Sequence, residues 1–163
     1  MNRPTTVVAL AVSAAIAAYV AVLRPWMLAW GATEAERSAP LPGDDLDPIA
    51  NYVTTRAITV KAPPDRVWQW LVQMGQDRAG FYTHNWVERL LRSGIPDVAT
   101  LHPEWQKLAV GDLVRTNKDI RGQAMGWPVL AVDPGRSLVL QSRSLPAGTY
   151  AFVVEPIDDR TTR

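Results

Sequence analysis

His84 and Glu88 stand four residues apart, a spacing that on a helix turns both side chains toward one point and offers two of the ligands a metal site needs. His102 and Glu104 complete such a site only if the loop carrying them folds back, and a solvated helix face accounts for the same residues, so no metal is expected. Gln73, Tyr82, Trp86 and Glu88 place hydrogen-bonding groups and rings beside apolar helix surface, and Trp127 and Tyr150 do the same on strands. A few polar groups set in apolar surroundings are what orients an apolar ligand, although the same glutamine can cap a turn and the same rings can fill a core. Other chemistries are disfavoured. Cysteine is absent, which removes thiolate nucleophiles, disulfides and cysteine metal sites. No Gly-Xaa-Ser-Xaa-Gly elbow and no glycine-rich phosphate loop is present; Gly122 and Gly126 match neither pattern.

The elements that carry these residues follow from periodicity. Thr55, Ala57, Thr59 and Lys61 alternate with Arg56, Ile58 and Val60, which predicts a strand, and Pro63 and Pro64 stop any further pairing. Proline suits a first helical turn, Asp65 complements the helix dipole, and Val67, Leu71 and Met74 form an apolar stripe flanked by Trp68 and Val72. Gly75 offers the stop. Trp68 and Trp70 cannot share a helix face, and Trp70 is expected to be the less buried. A second helix is predicted over 81–92, bearing Tyr82, Trp86 and Glu88, and residues 95–109 read as irregular with a short turn at 103–106. Strands follow from Val110 to Thr116, over 127–132 and 137–143 around the turn Asp-Pro-Gly-Arg, and over 148–156, with Tyr150, Phe152 and Val154 on one face. Asp-Asp-Arg at 158–160 reads as a further hairpin turn.

The amino-terminal stretch differs in kind. Thr5 to Leu23 is uncharged and roughly long enough as a helix to cross the ~30 Å hydrocarbon layer, with Arg3 and Arg24 at its ends and Trp26 and Trp30 at belt positions. We read residues 1–30 as a membrane anchor. A cleavable signal peptide is the competing reading, since Ala15-Ile16-Ala17 has the spacing of a cleavage site, and a buried soluble helix is the third. The flanking charges nearly balance, with a slight lean toward a domain on the outside. Residues 31–50 hold Pro40, Pro42, Gly43 and Pro48 with few large apolar side chains and read as a linker, leaving 51–163 as one folded domain. Beyond residue 50, 14 Lys and Arg face 11 Asp and Glu, a difference of +3 with the signs interspersed, so no nucleic-acid partner is expected.

Several motifs add a resemblance: Arg-Pro-Trp at 24–26, Trp-Gly-Ala-Thr at 30–33, Leu-Pro-Gly-Asp at 41–44, Thr-Arg-Ala-Ile-Thr-Val at 55–60, Trp-Leu-Val-Gln-Met-Gly-Gln at 70–76, Ala-Gly-Phe-Tyr at 79–82 and Val-Gly-Asp at 110–112. With the strand-to-helix start they resemble the START-like, or SRPBCC, superfamily of helix-grip proteins, and within it a bacterial, membrane-associated subgroup. The resemblance implies an α+β fold in which an antiparallel sheet grips a long carboxy-terminal helix, with two short helices after the first strand. That closing helix and the remaining strands do not fit in the three residues after Arg160. It also implies a cavity for a hydrophobic small molecule or lipid, lined by Gln73, Tyr82, Trp86, Glu88, Trp127 and Tyr150, with no cofactor. Kinship with polyketide cyclases implies an alternative, a cyclase- or dehydratase-like enzyme using Tyr82, Glu88, Arg115 or Tyr150. A third reading is an interaction module whose incomplete sheet pairs with a second copy or a partner chain.

Overall fold

The computed structural model describes residues 3–50, 52–82, 99–118, 123–142 and 148–163. They form two compact units, one built from Met1–Ala39 and Asn51–Ile58, the other from Pro40–Ala50 and Thr59–Arg163. The chain is α+β: an apolar helix begins it, and a four-stranded antiparallel sheet dominates the second unit.

In the first unit, helix α1 (Arg3–Ala18) runs through a π-helical segment, Tyr19–Leu23, into helix α2 (Arg24–Leu28). Pro25 explains the interruption. It has no amide to donate, and its ring collides with the carbonyl four residues earlier in a regular helix. The preceding turn is instead widened, so that the Arg24 amide donates to the Tyr19 carbonyl five residues back. The helical run therefore continues to Leu28, past the Leu23 boundary expected from the uncharged stretch. Val7–Leu28 is 22 residues, long and apolar enough to cross a membrane; at ~1.5 Å per residue it measures about 33 Å against a ~30 Å hydrocarbon layer. Helix α3 (Glu34–Ser38) follows, started by a capping box in which the Thr33 hydroxyl accepts from the Glu36 amide and Glu36 accepts from the Thr33 amide. Arg37 pairs with Glu34 one turn away.

The predicted strand at 55–61 is not one. Only Val60 pairs as in a strand, in an isolated bridge with Thr162. Its neighbours serve the end of α2. The Thr54 hydroxyl donates to the Leu28 carbonyl (2.7 Å), Arg56 Nε to the Met27 carbonyl (2.9 Å) and the Ala57 amide to the Trp30 carbonyl (3.2 Å). The last carbonyls of a helix have no partner within it, and a cation is favoured at that end. A helix end in need of donors thus takes the amide and side chains that the alternating pattern assigned to a sheet.

In the second unit, helix α4 (Pro64–Val72) matches the predicted amphipathic helix, with two prolines at its start and Asp65 in its first turn. The sheet comprises β1 (Leu113–Lys118), β2 (Ala124–Asp133), β3 (Ser137–Ser142) and β4 (Gly148–Val153), hydrogen-bonded in chain order. The Asp133–Arg136 turn closes the central hairpin through the Arg136 amide and the Asp133 carbonyl, 2.9 Å apart. Pairing sets Val114 opposite Trp127, Val129 opposite Leu140, Leu140 opposite Tyr150 and Leu138 opposite Phe152, so these residues share one face. Val114, Val129, Leu138 and Leu140 form its buried core with Met74, and Trp68, Leu71, Phe81 and Leu108 pack against them. The apolar stripe of α4 lies over the sheet, as its spacing requires.

The opposite face is covered at Val139, which is fully buried. Gly43, at φ 94°, sits directly over it: a β-carbon there would come within 2.8 Å of Val139 Cγ1. Part of the stretch that reads as linker therefore packs on the sheet, at Gly43, which opens the turn Asp44–Leu46. The Asp-Asp-Arg turn joins two short paired strands, β5 (Pro156–Asp158) and β6 (Thr161–Thr162). Thr162 is buried, exchanges backbone bonds with Val60 (2.8 and 2.9 Å) and donates its hydroxyl to the Ala62 carbonyl (2.7 Å), tying the chain's last residues to the start of α4.

Candidate functional site

α4 ends at Val72 because the chain turns there on Gln73, whose side chain has no solvent exposure. Its amide donates to the Thr100 carbonyl (3.2 Å), and its oxygen accepts from the His102 backbone amide (3.2 Å) and from Gln106 Nε2 (3.3 Å). Gln106 also donates to the Gln69 and His102 carbonyls. A buried amide with both ends engaged is a rigid clamp between the helix end and the 100–106 loop. Within that loop, residues 103–105 form the short turn expected there, and the His102 ring stacks on Trp105 (4.2 Å between centroids) and meets Glu104 Oε1 at 3.1 Å. Backbone hydrogen bonding first, and His102 second, hold the exposed Glu104 carboxyl below the usual range.

Beyond Gln73 the chain makes a narrow loop in which Gly75 and Gly80 exchange backbone bonds of 2.9 and 2.8 Å. The Gln76 amide donates to the Arg115 carbonyl (2.8 Å), and Asp77 lies 3.4 Å from Arg115 Nε, so the loop is clipped to β1. This clip aims Phe81 and Tyr82 in different directions. Phe81 goes to the sheet, edge-on to Trp127 at 5.7 Å, and Trp127 in turn meets Tyr150 at 5.3 Å. Tyr82, held at φ 54°, turns back onto α4: its ring is edge-on to Trp70 (5.6 Å) and its hydroxyl donates to the Trp70 carbonyl (2.7 Å). Trp68 packs on the core, whereas Trp70 contributes to this outer pair.

Four of the six sequence-derived site residues are thus placed, and they form two pairs. Gln73 joins Tyr82 at the end of α4, and Trp127 joins Tyr150 on the sheet. Trp86 and Glu88, with His84 and most of the predicted second helix, lie outside the described residues. Arg115, one of the groups named in the cyclase reading, is engaged with Asp77. Phe81 was not among the expected site residues, yet it connects to the sheet pair; the Ala-Gly-Phe-Tyr motif held the signal. Among the described residues, no group of three or more His, Asp or Glu is arranged to hold a metal ion.

Burial raises the Tyr82 phenol above its ordinary value, partly offset by the Gln73 side chain, which stabilises the phenolate. A raised value in the folded state means that the neutral phenol supports folding below the ordinary tyrosine range, and that this support is lost as pH climbs through the raised value. Ultraviolet titration of the full chain should therefore show a late-ionising tyrosine component, which Tyr82→Phe should remove. If the late component persists in Tyr82→Phe, it belongs to a different phenol. No family model, no curated protein and no solved structure matches this chain.

Proposed function

We propose that this chain is a membrane-anchored START-like domain, of the helix-grip kind, that binds a hydrophobic small molecule or lipid. The observation that carries the reading is the row of three rings, Phe81, Trp127 and Tyr150, extending the apolar sheet face beyond its packed core. Trp127 is half-buried and Tyr150 is 42% exposed, so the row grades from core to solvent. Such a row offers an apolar ligand stacking surface without requiring the core to open. The apolar Val7–Leu28 helix supports the anchor, and Trp26 and Trp30 at its end suit a membrane–water boundary. Binding requires no further chemistry from these side chains.

Native mass spectrometry of the full chain in mild detergent, after exposure to a membrane lipid extract, tests this. A discrete apolar adduct on the wild type is expected, with occupancy falling about ten-fold in Tyr150→Ala, which corresponds to loss of about 1.4 kcal/mol. Circular dichroism should be unchanged by that substitution. An adduct held equally by Tyr150→Ala and Trp127→Leu, or no adduct at all, would rule out this surface as the ligand site.

A further inference from the structure

The end of α2 and the segment Tyr52 to Ile58 are 24 or more residues apart in sequence but hydrogen-bonded through Leu28, Met27 and Trp30. If Val7–Leu28 crosses a bilayer, those carbonyls lie where hydrocarbon gives way to headgroups, since about 33 Å of helix has been used by Leu28. The headgroup layer on each side is only about 5–8 Å deep, the difference between a ~30 Å core and ~40–45 Å in all. Side-chain bonds to Met27 and Leu28 and a backbone bond to Trp30 keep the segment at or next to that level. Its composition agrees: Tyr52, Val53 and Ile58 are each more than half exposed, as is Trp26 on the helix side, and apolar or amphipathic side chains of this kind favour the interface over bulk water. Gly31 makes the approach possible. At φ 74°, a β-carbon on it would fall 2.0 Å from the Ala57 carbonyl oxygen.

We infer that residues 52–58 form a second membrane contact, a strap held on the end of the spanning helix and lying in the lipid headgroup layer with Tyr52, Val53 and Ile58 against the acyl boundary. This rests on the anchor reading of α1 and α2, and it adds a lipid-facing role for a stretch far outside the helix. The occupant of the exposed face is the bilayer surface, fixed there by continuity with the helix.

The chain contains no cysteine, so single cysteines report cleanly. Val12→Cys, Val53→Cys and Ile58→Cys, each in the full chain and labelled with an environment-sensitive fluorophore, are reconstituted into phosphatidylcholine–phosphatidylglycerol vesicles. One set of vesicles carries a nitroxide on the headgroup and another carries it at the acyl-chain end. The headgroup nitroxide should reduce emission from positions 53 and 58 at least about two-fold, as expected for interfacial residues, while the deep nitroxide quenches position 12. In a Gly31→Ala background, quenching at 53 and 58 should be lost with that at 12 retained; Thr54→Val with Arg56→Gln should act in the same direction. Deep quenching at 12 without headgroup quenching at 53 and 58 overturns the strap and leaves the anchor standing. Undiminished quenching at 53 and 58 in the Gly31→Ala chain overturns the role of the helix end. Absence of quenching at 12 removes the anchor reading and the strap with it.

Discussion

Gly126→Ala should cost about 2–4 kcal/mol, a large share of the 5–15 kcal/mol that holds a typical domain together. A β-carbon at Gly126 would lie 2.3 Å from the Val114 carbonyl oxygen and 2.9 Å from Arg115 Cα. Both obstacles are backbone, so no rotamer change relieves them; β1 and β2 have to separate. Gly126 pairs with Arg115 next to the irregularity where β1 shifts register, and Val114, β1's contribution to the buried core, is its neighbour. Denaturant unfolding of the full chain in detergent should show the loss, with hydrogen exchange accelerated across residues 113–116. Gly135→Ala is the matched control. That glycine is at φ 81° with nothing within 4 Å of the point where a β-carbon would stand, so only the strain of a left-handed alanine, about 1 kcal/mol, is expected. Equal costs at the two positions would mean that strand approach at Gly126 is not tight.

Gln73→Leu should be of similar size, about 2–4 kcal/mol, for a different reason. Leucine fits the volume but strands the His102 amide and the Thr100 carbonyl, each a polar group whose unmet bonding costs about 1–3 kcal/mol when water cannot replace it. The contacts are partly buried, which sets the expectation below the full sum. Among the described residues no buried side-chain nitrogen or oxygen lacks a partner. The substitution should also free the 100–106 loop, read as faster exchange of the His102 amide, and bring the Tyr82 ionisation later by removing the group that favours its phenolate. A loss below about 0.5 kcal/mol, the ordinary range for surface changes, would show that solvent substitutes for the amide.

The two effects would also separate structure from binding. Gly126 and Gln73 hold the sheet and the helix end, whereas Tyr150 is the exposed end of the ring row. Loss of adduct in Tyr150→Ala with stability intact, against loss of stability in Gly126→Ala, is the pattern the ligand reading requires.

Local signals in the sequence determined the apolar helix, the proline-started helix α4 with its core stripe, the Asp133–Arg136 turn, and the strands around it. Each depends on neighbours within one or two turns, or on the alternation of adjacent residues, and chemistry that local is written in residue order. The candidate site was legible as a set of residue types, but not as two pairs. The direction of Tyr82 depends on its left-handed backbone and on the clip between residues 76–77 and Arg115, a contact across almost forty positions. Tertiary structure alone decided three further matters. Thr54, Arg56 and Ala57 serve a helix end, because the carbonyls at Leu28, Met27 and Trp30 accept their donors, and among the described residues 55–61 bridges as a strand only at Val60. Gln73 is a buried clamp because its partners come from residues 100–106. Gly31, Gly43 and Gly126 are glycines because another part of the chain approaches where a β-carbon would stand, and which part approaches is not encoded within any window around the glycine itself.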